Sequence, residues 1–352
     1  MANAKKLPSG SWRVQVYAGK DASGKRMYQS FTAPTKKEAE FLAAEYIYKR
    51  KNTTREKLTF QEASDQYIEN RQNILSPSTI RCYRIIQRNS VPNLLNIKID
   101  RLADGFLIQQ QMNENAKRYS AKSLRNQLGF ITAVMGFFKY HISDIAIKPK
   151  ENHSILVPTK NDAEKIMQLL KEAPDIECQA LLAITCSLRQ SEIAAITPAD
   201  IKGELLFVHG ARIPDEHNKL VYKETNKSDA GWRSVLMPEY LAKRMGELCA
   251  SKQSNDWVFD TTPSQVLRKF KRLLISHDMP PYTMHSLRHC FAAIMHARNV
   301  PDKYIMEMGG WSSDNVMKKV YQYTFEDETN RAKQQVNQYF DNLISDDSEK
   351  QN

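Results

Sequence analysis

The run ELLFVHG at residues 204–210, followed by KLVYKET at 219–225 and WRSVLMP at 232–238, decides how the second half of this chain folds. Each run is short, rich in β-branched and aromatic residues, and bounded by turn formers, so each reads as a strand. KLVYKET and WRSVLMP flank the polar NKSDAG at 226–231, which is expected to act as the turn of a hairpin and to carry Lys227. Helical periodicity surrounds these strands: residues 160–172 and 176–186 before them, and 238–249, 264–276, 284–298 and 302–308 after them. A last amphipathic helix is expected over 329–344, with Ala332, Val336, Tyr339, Phe340 and Leu343 on one face. The region is therefore mainly helical with a small antiparallel sheet.

Upstream, two other patterns appear. In SWRVQVYAG, Trp12, Val14 and Val16 alternate with polar neighbours; DASG supplies a turn and RMYQSF a second strand. TKKE at 35–38 is a capping box opening a helix with Ala39, Leu42, Ala43, Tyr46 and Ile47 at helical spacing. After polar NTTREK, a second capping box, TFQE at 59–62, begins a helical stretch. Four helices are expected there, over 60–71, 78–88, 104–114 and 120–141. IKPKENHSILVPTK, with two prolines and no helical period, places a boundary near residue 150. The fold class is multidomain α+β: a small sheet-plus-helix module over 1–57, a helical domain over 58–150, and a mixed domain over 151–352.

Charge is distributed unevenly along these regions. Residues 1–57 hold 13 Lys and Arg against 5 Asp and Glu, and residues 58–150 hold 13 against 7, whereas the remainder holds 25 against 28. The first 150 residues thus carry more than the whole net charge of +11, as suits a chain that meets a polyanion with that end. Arg81, Arg84 and Arg88 line one side of a helix, the geometry phosphate contact requires, though an ordinary solvated face has the same spacing. Arg13 in the first strand and Lys122 and Arg125 in the fourth helix complete the candidate DNA contacts. The longest apolar stretch, ALLAITCSL at 180–188, falls well short of the roughly 20 residues that span a bilayer. The five cysteines are widely spaced with no CxxC pair, and read as small core residues in a reducing compartment.

Three strings can carry chemistry: SLRQSEIAAI at 187–196, HSLRHCF at 285–291, and GGWSSDNVMKKVYQYT at 309–324. Arg189 and Glu192, three apart, can simply tie a helix terminus as an ion pair. His285 and His289 share a helix face, but a zinc site is disfavoured: position two of an HExxH pattern is Ser286, and a neighbouring guanidinium repels a cation. Arg288, three residues from His285, lets the pair offer a fixed charge and a titratable imidazole to one phosphate, leaving His289 to the core.

In that order Arg189, Lys227, His285, Arg288, Trp311 and Tyr321 form a set that resembles the tyrosine recombinases of the phage integrase family. The family combines an LRxSE string, a hairpin lysine, an HxLRH string, a His or Trp after a glycine, and a tyrosine about one helix later. Here these read SLRQSE, NKS, HSLRH, GGW and VYQY, covering residues 155–325. The helical domain is similar in position to the family's core-site-binding domain, and residues 1–57 resemble the arm-binding module of some temperate-phage and conjugative-transposon integrases. Two positions depart from the pattern: Tyr323 stands where His is frequent two residues past the nucleophile, and Asn226 where a basic residue often precedes the lysine.

The resemblance implies site-specific DNA recombination through a 3′-phosphotyrosine intermediate, without metal, cofactor or ATP. Arg189 and Arg288 would hold the non-bridging oxygens, Tyr321 would be the nucleophile, and His285 would help remove its proton. Lys227 would protonate the leaving 5′ oxygen, Trp311 would pack and donate its indole N–H, and Glu192 would hold the arginines in place, with His289 in support. Partners implied are double-stranded DNA attachment sites and a homotetramer on DNA, with a DNA-bending host factor and an excisionase as optional ones, in a bacterial cytoplasm at the nucleoid and with no membrane. Two other readings stay open: a type IB topoisomerase-like enzyme, and a catalytically silent DNA-binding regulator of the same fold.

Overall fold

The alternation around Val14 and Val16 turns both valines inward from a strand whose other face carries Arg13, Gln15 and Tyr17. In the computed structural model, which describes residues 4–20, 25–53, 58–150, 156–224, 232–311, 313 and 333–341, this strand is the centre of a three-stranded antiparallel sheet. Its strands are β1 (Lys5–Lys6), β2 (Trp12–Lys20) and β3 (Arg26–Ala33). Helix α1 (Lys36–Thr53) starts where expected, the Glu38 amide donating to the Thr35 hydroxyl at 3.3 Å. Ala39 and Ala43 of α1 pack on Val14, Val16 and Ala33, so small side chains let helix and sheet approach closely.

The chain forms two compact units, Met1–Glu151 and Asn152–Asn352. The first also holds α2 (Phe60–Arg71), α3 (Pro77–Asn89), α4 (Phe106–Asn115) and α5 (Ala121–Phe137). Their core centres on Phe130, whose ring lies 6.1 Å from Phe60 and 4.6 Å from Tyr83. Buried amides join the helices: Asn115 donates to the Ser90 carbonyl and to Gln127, and Gln87 donates to Ser64. α5 ends four residues before the expected His141. Lys139 adopts φ 66°, and the Tyr140 amide returns to the Met135 carbonyl at 2.9 Å, closing the helix. Phe138 and Tyr140 still reach the core, which is why the apolar period outlasts the helix.

The second unit is built on α6 (Lys160–Leu169), α7 (Glu177–Thr185) and the short α8 (Gln190–Ile193), followed by β4 (Ile201–Lys202), β5 (Leu205–Val208), β6 (Gly210–Pro214), β7 (Leu220–Glu224) and β8 (Arg233–Leu236). It is completed by α9 (Glu239–Cys249), α10 (Pro263–Ser276), α11 (Met284–Ala297) and α12 (Asp302–Gly309). α7 is buried along its whole length but for Thr185 and packs against α11. The cysteines of this core, Cys178, Cys186 and Cys290, are buried, and burial pushes their thiols up to about 11, 11 and 12. Among the described residues no helix is long and apolar enough to cross a membrane.

Strand pairing differs from the expected hairpin. β7 pairs with β6, and β8 pairs with β5, so 220–224 and 233–236 belong to different sheets. The reason lies in the loop 215–219: the Asp215 carboxylate accepts the amides of His217 and Lys219 at 2.9 and 2.8 Å, and Asn218 takes φ 63°. The β6–β7 hairpin also needs Gly210, since a Cβ there would sit 2.3 Å from the Tyr222 ring. Lys227 therefore lies between two sheets along the chain, and is itself outside the described residues. So are Tyr321 and Tyr323. Of the expected last helix, 333–341 is described and helical, with Val336, Tyr339 and Phe340 exposed.

Truncation of the fully buried Phe130 to Ala is expected to cost about 3–5 kcal/mol, whereas Phe106→Ala, at an exposed position, stays within about 0.5 kcal/mol of wild type. Urea unfolding followed by circular dichroism measures both.

Candidate active site

α7 ends at Thr185, and the chain reverses through Ser187 at φ 57° before α8 begins. This turn puts Arg189 at the N-terminal boundary of α8, where its amide donates to Glu192 Oε2 at 2.8 Å and its Nη1 donates to Glu192 Oε1 at 2.6 Å. Arg189 Nη2 donates to the Gly310 carbonyl at 2.7 Å. The ion pair read from the sequence is therefore present, and it also ties the α8 segment to the turn after α12.

Glu192 has a second and more buried partner. Arg233, at the start of β8, donates Nη2 to Oε2 at 2.8 Å and Nη1 to Oε1 at 3.3 Å, while its Nε donates to the Met308 carbonyl at 3.0 Å. The side chains of Arg233 and Glu192 are 4% and 3% exposed. Burial alone would raise the Glu192 carboxyl; the hydrogen bonds and charge of Arg233, with the charge of Arg189, outweigh it and hold the group below its ordinary value. Sequence reasoning missed Arg233. Its sign was an arginine in phase with the buried Val235 of the strand and with the buried Met237 just past it.

Thr283 caps α11, whose first turns carry His285, Arg288 and His289. Arg288 is 1% exposed, donates Nη1 to the Ser187 carbonyl, and has its guanidinium carbon 4.2 Å from the centre of the Trp311 ring. Its Nη2 has no hydrogen-bond partner among the described residues, and neither do Ser187 Oγ and His289 Nδ1. Burial, with Arg189 and Arg233 nearby, pushes the Arg288 guanidinium down to about 9, so it stays charged at neutral pH. Trp311 can lie so close because residue 309 is glycine: a Cβ there would stand 1.8 Å from the indole. His285 and His289 meet edge to face at 4.3 Å. Partial burial lowers the His285 imidazole below its ordinary value, reinforced by the charges of Arg288 and Arg189, which favours its neutral form.

Arg189, Gln190, Ser191 and His285 line one side of an open cleft of about 350 Å³, with Arg212, Ile213 and Pro214 also on its wall. Three guanidiniums, one carboxylate and a neutral imidazole thus form a cationic site of the kind that holds an anionic ester. No group of three or more His, Cys, Asp or Glu side chains gathers to hold a metal among the described residues. The structure brings together Arg189, Glu192, His285, Arg288, His289 and Trp311; Lys227 and Tyr321 lie outside the described residues. In the first unit, Arg13, Lys122, Arg125 and Arg88 are exposed, and Arg81 is half-buried. Arg84 is held by the Asp65 carboxylate and by Gln87 at 3.2 Å, so that guanidinium ties α3 to α2.

Residues 157–328 match the model of the phage integrase family. A tyrosine recombinase described as XerC-like, from Caldanaerobacter subterraneus subsp. tengcongensis, is 26% identical over 94% of this chain and 96% of its own length. An integrase from Saccharopolyspora erythraea is 30% identical over a shorter stretch, 32% of this chain and 30% of the relative. Among solved structures, the Tn1549 transposon integrase in complex with transposon right-end DNA superposes with a TM-score of 0.59 at 15% identity, covering 79% of this chain and 99% of that one. A lambda integrase dimer bound to a core site gives a TM-score of 0.57 at 15% identity, covering 91% and 94%. These two structural likenesses are likenesses of fold.

One pH dependence follows from this site. Burial first, then His285 and Arg288, lower His289 from 6.5 to about 4 in the folded chain, so on acidification the unfolded chain binds the proton first. The stabilisation is complete above pH 6.5 and is lost as pH falls towards about 4. Melting temperatures across this range should fall less steeply in His289→Leu than in wild type; parallel profiles would contradict this.

Proposed function

We propose that the chain is a site-specific tyrosine recombinase of the phage integrase family, and that Tyr321 is the nucleophile of a metal-free DNA strand exchange centred on Arg189 and Arg288. The Tyr321 hydroxyl loses its proton and attacks the scissile phosphorus, forming a 3′-phosphotyrosine ester as the bond to the 5′ oxygen breaks. Lys227 gives that oxygen its proton. A 5′ hydroxyl from another strand then attacks the ester and releases the tyrosine, so the energy of the first bond is kept and no nucleotide is consumed.

The convergence of Arg189, Arg288 and His285 carries this reading. Both guanidiniums are needed on the non-bridging oxygens, where charge builds in the transition state. Arg288 supports that role with a buried Nη2 that has no protein partner among the described residues. Arg189 is oriented by Glu192 and the Gly310 carbonyl. His285, whose neutral form is favoured by partial burial and by the arginines, would accept or relay the phenol proton. Trp311 shields the arginine and offers its indole N–H, and His289 supports His285 from behind.

By this reading residues 1–57 bind arm-type DNA through Arg13, residues 58–150 bind core-site DNA through Arg81, Arg88, Lys122 and Arg125, and residues 151–352 perform the chemistry. Arg84, occupied by Asp65, serves the packing of α3 as well as any phosphate. The working assembly is a homotetramer on two double-stranded attachment sites, and the exposed Val336, Tyr339 and Phe340 suit the docking of that helix on a neighbouring protomer. A DNA-bending host protein and an excisionase join it when the direction of exchange demands them.

Wild-type protein, incubated in EDTA without nucleotide with DNA flanking its own gene, is expected to give a denaturant-resistant protein–DNA adduct joined through a 3′ phosphate. Tyr321→Phe should give none. An adduct that persists in the variant assigns the nucleophile to Tyr323, and tight binding by wild type without any adduct contradicts the enzymatic reading.

A further inference from the structure

Arg212, in β6, lines the same cleft as Arg189 and His285, although no motif in the sequence marks it. Its guanidinium carbon sits 4.5 Å from the centre of the Trp257 ring, and its Nη1 donates to the carbonyl of Ala194, the residue just after α8, at 3.2 Å. Tyr222, its cross-strand partner, stacks on the same Trp257 ring at 5.9 Å. The Tyr222 hydroxyl meets His209 Nδ1 at 3.0 Å, and His209 Nε2 meets the Asp200 carboxylate at 2.6 Å. The platform beneath the guanidinium is thus tied to the body of the unit at several points.

Among the described residues, what this arginine lacks is a carboxylate hydrogen bond. Arg233 has Glu192, and Arg244 has Glu177 and Glu247; among the described residues Arg212 has one carbonyl and one aromatic face. Burial disfavours its charge, and the opposing charge of Asp260 is shared with Lys252 at 3.1 Å. A pre-oriented cation with spare N–H groups beside an open cleft is arranged for an anion that arrives from outside.

We propose that Arg212 is a further DNA-binding residue, which holds a backbone phosphate next to the scissile one and so sets the register of the strand in the cleft. The inference rests on the recombinase reading above, because that reading puts the scissile phosphate between Arg189 and Arg288. Arg212 contributes position and affinity; it does not contact the reacting phosphorus.

The test is the salt dependence of full-length protein binding to a fluorescent duplex carrying the DNA that flanks its own gene. Removing a single phosphate-neutralising cation makes the slope of log affinity against log salt shallower by about 0.9, and this is the change expected for Arg212→Gln. Wild-type slope in Arg212→Gln overturns the proposal. Should that variant fail to fold, Arg212→Lys decides: replacing the stacked, two-pronged donor is expected to cost about fivefold in affinity at fixed salt, and wild-type affinity overturns the proposal. Adduct formation by the wild-type preparation is scored separately, so its absence refutes the recombinase reading while the slope still judges Arg212.

Discussion

The carboxylate of Glu192 is the interaction on which this site depends. Arg189, Arg233 and Arg288 place three guanidiniums in one region, and without a buried negative charge their mutual repulsion and desolvation would scatter them. Glu192 receives both Nη groups of Arg233 and one Nη of Arg189. Those arginines in turn hold the Met308 and Gly310 carbonyls. One side chain therefore links the α8 turn, the start of β8 and the turn that presents Trp311, three segments far apart in sequence.

Arg288 is held by other means. A carbonyl and an indole face fix it, and no carboxylate is hydrogen-bonded to it among the described residues. This difference has a chemical meaning: Arg233, with both Nη groups on the Glu192 carboxylate, has little left to offer a phosphate, whereas Arg288, held by a neutral ring, keeps its charge and an N–H group to donate. Ser187 Oγ, Arg288 Nη2 and His289 Nδ1 are buried without a hydrogen-bond partner among the described residues. Stability has been given up there, as is common where a site must receive a charged ligand.

Much of the site could be read before the structure, because local strings carry it: Arg189 with Glu192, and His285 with Arg288, are each within one helical turn. Trp311 was marked through the family resemblance, by its place after a glycine, and the structure shows why residue 309 is glycine as well. Arg233 was not legible by such means, since its partner is 41 residues away and only its phase with Val235 marked it as inward. The same limit explains the mispaired strands. Hydrophobic alternation locates a strand but does not choose its neighbour, and here the side-chain turn at Asp215 made the choice. Arg84 belongs to this class too: helical spacing put it in a basic stripe, and Asp65, distant in sequence, holds its guanidinium.

The central claim is that the negative charge of Glu192, and not merely its volume, organises the arginines for catalysis. Glu192→Gln removes the charge and keeps the shape, so the direct measurement is the single-turnover rate of covalent DNA cleavage by this variant at saturating DNA. The account predicts a fall of about tenfold or more with no loss of DNA affinity. A cleavage rate equal to wild type would contradict it.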